Sequence, residues 1–263
     1  MLEEFASIEA LVSAPLGRLL EIQQAVESER TPGTASLMSF CPIADTKTVL
    51  DHPRAAVARG ASSDVPLIIG TNLHETTLFL WLADEAFRSN PVGWSPDNRA
   101  LIERLRGSCG DRVDDLVAAY RKIKPGASNG DLYVAISSDN MRVGSIRFAE
   151  ARSATGRAPV YMYLFTWESP FGGGGLRAAH GFEIPFVFDN TRSRAGTRDA
   201  RSVSLADQMS SAWVAFAATG TPSVPGAGAW PAYNPAFRET MVFGETTRVT
   251  RDPLGAERLA WTR

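Results

Sequence analysis

The sequence predicts an α/β fold with a mostly parallel sheet and flanking helices, and three observations carry that expectation. Two short apolar runs rich in branched and aromatic residues, VPLIIGTN at 65–72 and APVYMYLFTW at 158–167, read as strands buried on both faces. Stretches of helical periodicity lie before, between and after them. Strands that alternate with helices along a chain favour a parallel sheet covered by those helices.

The elements follow in order. Residues 3 to 27 place Phe5, Ile8, Leu11, Leu19, Ile22 and Val26 at helical spacing, broken at Pro15, which predicts two short helices. ERTPGTAS (29–36) is a loop, and the strand at 65–72 closes on Gly70 and Asn72. Residues 98–106 and 111–123 predict amphipathic helices separated by GSCG. After the loop PGASNGDL a helix is expected over about 130–154, with Ser128 placed to cap it. The strand at 158–167 leads to four consecutive glycines, Gly172 to Gly175, and then to LRAAHGFEIPFVFDN, which sets His180 between a flexible loop and a mostly apolar segment. VSLADQMSSAWVAFAAT (203–219) is a helix stopped by Gly220 and Pro222, and the proline-punctuated tail ends in a short strand, TMVF. With no repeat, low-complexity tract or linker, residues 1–263 are expected to form one domain without an internal boundary.

Composition narrows the function classes. A formal charge of −2 provides no global field for nucleic acid or for an acidic membrane. No apolar run approaches the roughly 18 residues that would span a bilayer. The acidic opening MLEEFASIEALVSAPLG lacks the basic and apolar regions of a secretory leader, so a soluble, cytoplasmic chain is expected. Cys41 and Cys109 form no metal-type pair and fit a reduced chain better than a disulfide scaffold.

In open α/β sheets, reactive groups gather beyond the carboxyl ends of the strands. Two such ends carry ionisable groups here, Glu75 after the first strand and His180 in the loop after the second. A carboxylate and an imidazole on neighbouring strand-end loops suit activation of a nucleophile: the imidazole takes a hydroxyl proton while the carboxylate fixes its tautomer and stabilises the imidazolium.

The surrounding residues sharpen this reading. DVPLIIGTNLHETTLF (64–79) resembles the segment of type-B carboxylesterases that presents the triad glutamate, a strand with Gly-x-Asn, then two residues before Glu. LRAAHGFEIPFVF (176–188) resembles the segment of the same family that presents the triad histidine, His-Gly-x-Glu followed by an apolar run with Phe. FCPIADTKTVLDHP and the ending WPAYNPAFRETMVFGE also resemble the family, in the right order. The resemblance implies the C-terminal portion of an α/β-hydrolase fold, with Glu75 as triad acid and His180 as general base, a carboxylic ester as substrate and no cofactor. The family usually has Asp-Glu-Gly at the acid, where this chain reads His74-Glu75-Thr76. In extended backbone adjacent side chains point oppositely, so His74 is expected to stay clear of the pair.

The family's nucleophile is the serine of a Gly-x-Ser-x-Gly elbow that precedes the acid, and no such motif stands ahead of Glu75. Ester hydrolysis by this chain is therefore expected to need a companion chain or an N-terminal part that carries the elbow and oxyanion loop. The one match, GASNG at 126–130, follows a helical stretch and comes after the acid; Ser128 with Asp131 is a helix-capping pattern instead. HETTL carries leucine where a zinc-protease motif has its second histidine, so no metal is expected. The four glycines are not followed by Lys-Ser/Thr as in a phosphate loop, and they are expected to give the histidine loop its reach. His52 is expected at the surface, and TRSRAGTRDAR is expected to be a solvated loop. Phe171, Phe182 and Phe186 are candidates to wall an apolar ester pocket, with core packing the simpler role for Phe186. Two other function classes stay open: a non-catalytic binding module on an esterase scaffold, and a self-contained hydrolase with a relocated nucleophile.

Overall fold

The computed structural model describes residue 5, residues 7–28, residue 44, and residues 47–191 and 199–262. The loop expected at 29–36, Cys41, most of FCPIADT and residues 192–198 of the arginine-rich segment lie outside these. The N-terminal periodicity forms α1 (Ile8–Val12) and α2 (Leu16–Ser28) on either side of Pro15. His52 is exposed, and its Nδ1 accepts the Arg54 N–H at the head of α3 (Pro53–Ala58).

Four strands form one sheet in chain order: β1 (Leu67–Asn72), β2 (Val160–Phe165), β3 (Glu239–Phe243) and β4 (Arg248–Arg251). β1 runs parallel to β2, with Leu67 opposite Val160 and Asn72 opposite Phe165, and β2 runs parallel to β3. β4 returns antiparallel to β3, which leaves the sheet mostly parallel. Between β1 and β2 lie α4 (Thr76–Ala83), α5 (Glu85–Ser89), α6 (Asn98–Cys109), α7 (Val113–Ile123) and α8 (Asn129–Ala154). α9 (Ile184–Val187) and α10 (Ala200–Thr219) connect β2 to β3, and α11 (Gly255–Ala260) comes last.

The period-two alternation of β2 divides the core. Tyr161 and Phe165 pack with Met241 and Phe243 of β3, Phe186 of α9, and Leu205, Met209 and Ala212 of α10. Val160 and Met162 pack on the other face against Ile146 and Ala149 of α8. β2 is thus buried on both sides, as its composition requires. β1 departs from the same expectation. Leu67 to Gly70 are only half-buried, because β1 is the edge strand, with β2 on one side and no described strand on the other.

A second core joins α6, α7, α8 and α11 through Leu101, Leu105, Leu116, Leu132, Ile136 and Trp261. A polar chain is buried beside it. Trp261 Nε1 donates to the Tyr120 hydroxyl at 3.0 Å, that hydroxyl donates to Asp139 Oδ2 at 2.5 Å, and Arg142 Nε donates to Asp139 Oδ1 at 2.6 Å. Each buried polar group so finds a partner, which offsets its desolvation.

Candidate active site

At the carboxyl end of β1 the chain turns sharply into α4. Leu73 N–H donates to Phe165 O at 2.8 Å, the last rung to β2, and His74 N–H donates to Ala178 O at 3.0 Å. Glu75 then sits at the head of α4 in right-handed helical conformation, φ −45° and ψ −41°. Strand alternation therefore does not separate His74 from the pair. His74 instead turns to the backbone of the next loop, where its Nδ1 accepts the Ala178 N–H at 3.4 Å.

The loop after β2 is tight. Ser169 pairs with Arg177 in an antiparallel bridge, and Phe171–Gly174 form a 3-10 turn between them. Gly172 and Gly173 take φ +64° and +67°, a conformation that costs a side-chain-bearing residue and costs glycine little. The glycines make a compact reversal here, and the expected long reach is not needed. The returning segment 176–180 is fastened almost residue by residue. Thr77 Oγ1 donates to Leu176 O at 2.6 Å, and Arg177 pairs with Asp131 of α8 at 2.9 Å. Ala178 holds His74, and Asn72 Nδ2 donates to Ala179 O at 2.6 Å.

These contacts deliver His180 to Glu75. His180 Nδ1 lies 2.6 Å from Glu75 Oε2, a charge-assisted distance, although the two residues are 105 apart in sequence. The second carboxylate oxygen, Oε1, accepts the Asn72 N–H at 2.7 Å. With Nδ1–H donating to Glu75, Nε2 is the ring nitrogen that accepts, and about half of the imidazole side chain, 52%, is open to solvent. Glu75 itself is only 6% exposed. Burial pushes its carboxyl up, against the opposing pull of the Asn72 N–H and of His180. His74 is pushed down to about 3, first by burial and then by the nearby Arg177 and Lys124 charges, so it is neutral near pH 7.

Aromatic residues are distributed differently from the expectation. Phe186 is fully buried and packs on Phe165 and Trp167, and Phe182 belongs to the same core. Phe171 packs on Trp81. The ring that touches the imidazole is Phe79 of α4, with centroids 5.0 Å apart. No spacing rule singles it out, because the contact requires α4 and the histidine loop to be docked first. A groove of about 490 Å³ lies beside it, lined by Thr76, Phe79, Leu80, Arg104 and Tyr133. A larger cleft of about 640 Å³, bordered by Thr166, Glu168, Arg201 and Glu245, includes neither member of the pair.

Ser128 is engaged in capping. Its Oγ accepts the Asp131 N–H at 3.0 Å and donates to Asp131 Oδ2 at 2.7 Å. Among the described residues no group of three or more His, Cys, Asp or Glu side chains is placed to hold a metal ion. Among them, too, no helix is long and apolar enough to cross a membrane.

A mostly parallel sheet with a carboxylate and a histidine meeting at its carboxyl rim defines an α/β-hydrolase fold, and comparisons with known proteins agree. The profile of the Carboxylesterase family matches residues 7–261, and the chain belongs to that family. It is 30% identical to the para-nitrobenzyl esterase of Bacillus subtilis over 227 residues, covering 83% of this chain and 42% of that protein. It is likewise 30% identical to the fumonisin B1 esterase of Sphingopyxis macrogoltabida, covering 92% of this chain and 44% of that one. A solved Geobacillus stearothermophilus carboxylesterase superposes with a TM-score of 0.76 at 32% identity, over 96% of this chain and 50% of the other. The chain thus spans about half the length of the relatives it matches, as the C-terminal region of such an enzyme would.

Proposed function

We propose that this chain supplies the acid and the base of a serine carboxylesterase, Glu75 and His180, and that the nucleophile comes from a segment that packs beside β1. The 2.6 Å contact between His180 Nδ1 and Glu75 Oε2, at the rim of a parallel sheet, is the observation that carries this reading. In the reaction, His180 Nε2 takes the proton from a serine hydroxyl as its oxygen attacks the ester carbonyl. The imidazolium is stabilised by Glu75 and returns that proton to the leaving alkoxide, so the alcohol departs and an acyl-serine remains. Water then attacks the acyl carbon, His180 takes one of its protons and passes it to the serine oxygen, and the carboxylic acid is released. Backbone N–H groups of the other segment would hold the tetrahedral oxyanion. The chain itself contributes no Gly-x-Ser-x-Gly ahead of Glu75.

The edge of β1 that has no described strand beside it supports the same reading, since further strands can add there, next to the pair. The purified chain is expected to show no hydrolysis of an activated aryl ester above background and no labelling by a fluorophosphonate probe. Labelling at Ser128 or at any other serine of this chain, with turnover, would favour a relocated nucleophile instead.

A further inference from the structure

We propose that Asn72 is a positioning residue for the Glu75–His180 pair, its main chain holding the acid and its side chain the histidine segment; this rests on the catalytic reading of the pair. Three hydrogen bonds converge on it. Its backbone N–H is given to Glu75 Oε1 at 2.7 Å. Its side-chain nitrogen gives one hydrogen to Ala179 O, directly before the histidine, at 2.6 Å. The other goes to Glu183 Oε2, three residues after the histidine, at 2.5 Å.

The amide orientation follows from chemistry. A carbonyl and a carboxylate oxygen only accept, so the nitrogen must face them and Oδ1 must face away. Asn72 is 2% exposed, and its Oδ1 is buried with no partner among the described residues. Leaving a buried acceptor unmade is costly, and its presence here marks the two donated bonds as the reason for an amide at this position. The side chain thus braces the backbone on both sides of His180, while the main chain of the same residue restrains the carboxylate that His180 meets. Glu75 has one oxygen for each neighbour, Oε1 for Asn72 and Oε2 for His180. Loss of the amide would free the 179–183 segment to shift, and a misplacement of about 1 Å is enough to uncouple such a pair.

The tautomer of His180 reads this directly in the chain as it stands. An imidazole held by Glu75 carries its proton on Nδ1, whereas a free neutral ring favours Nε2–H. Long-range nitrogen–proton correlation spectra, recorded with the ring neutral, are expected to show Nδ1–H in the parent and a shift to Nε2–H in Asn72→Leu and Glu183→Leu. Glu183→Gln, which keeps an accepting oxygen, is expected to restore the parent spectrum. Leu101→Ala, which weakens the distant core between α6 and α8, is expected to keep Nδ1–H despite its lower melting temperature. A folded Asn72→Leu that retains Nδ1–H overturns the proposal, as does Nε2–H in the parent. If Asn72→Leu fails to fold, Glu183→Leu decides, since Glu183 is only partly buried. The readout needs no ester turnover, so failure here and failure of the esterase reading are separable.

Discussion

Glu75 is placed where two demands oppose each other. Burial disfavours its ionised form, yet orienting an imidazole requires that form, and the Asn72 N–H and His180 compensate. Because the folded-state value is raised, the stability Glu75 contributes is complete below the ordinary carboxylate value of 4.5 and is lost as pH rises through the raised one. Glu75→Gln is therefore expected to gain on the parent in denaturant titrations as pH climbs from 4.5 towards neutrality. His74 has the opposite sign. Its value falls from 6.5 to about 3 on folding, so its contribution is complete above 6.5 and is lost as pH falls towards 3. Protonation would also set an N–H against the Ala178 N–H that Nδ1 now accepts. His74→Asn, whose Oδ1 can take that place, is expected to flatten the loss of stability between pH 6.5 and 4, by on the order of 2 kcal/mol after allowance for its partial exposure. At this scale the sequence singled out Glu75 and His180, through flanking motifs and their strand-end positions, as two side chains that would meet, and they do. It did not disclose Phe79 or the 178 backbone as neighbours, because those contacts exist only once the two loops are docked.

The turn from β1 into α4 and the returning loop after β2 are fastened to each other, and α8 anchors both. Thr76 N–H donates to Ser138 Oγ of α8 at 3.3 Å, and Asp131 in the first turn of α8 holds Arg177. The start of α8 therefore bears on the site, and Ser128 fixes that start. Ser128→Ala is expected to cost about 1 kcal/mol in equilibrium unfolding, as loss of an N-cap does, and to leave probe reactivity of any assembled enzyme unchanged. A loss of labelling in this variant would instead give Ser128 a chemical role. The long periodic helices and the apolar strands were legible because their patterns run for many residues. β4 was not, since RVTR is four residues with an exposed arginine at each end. α4, TTLFLWLA, is apolar on nearly every face and opens on two threonines, so it has no helical stripe to read. α6 was read three residues short, because Gly107 and Ser108 look like a stop yet continue the helix. α9 is a single turn that contains a proline.

For the molecule as a whole, the consequential feature is that the Glu75–His180 pair and a sheet edge with no described strand beside it coincide. β1 is paired on one side, and its carboxyl end carries the turn that presents Glu75. Unpaired strand edges recruit other strands, so the chain alone is expected to self-associate with rising concentration in sedimentation velocity. A monodisperse monomer with a cooperative melt would count against an incomplete sheet. The most direct measurement is complementation: this chain mixed or co-expressed with the N-terminal half of a family member that carries Gly-x-Ser-x-Gly, assayed for ester hydrolysis and serine labelling. Both are expected to appear in the mixture, and His180→Ala is expected to reduce turnover by about 10⁶-fold while the complex still forms. Full activity with alanine at position 180, or equal activity from either half alone, would contradict the assignment of Glu75 and His180 as the acid and base of a shared esterase site.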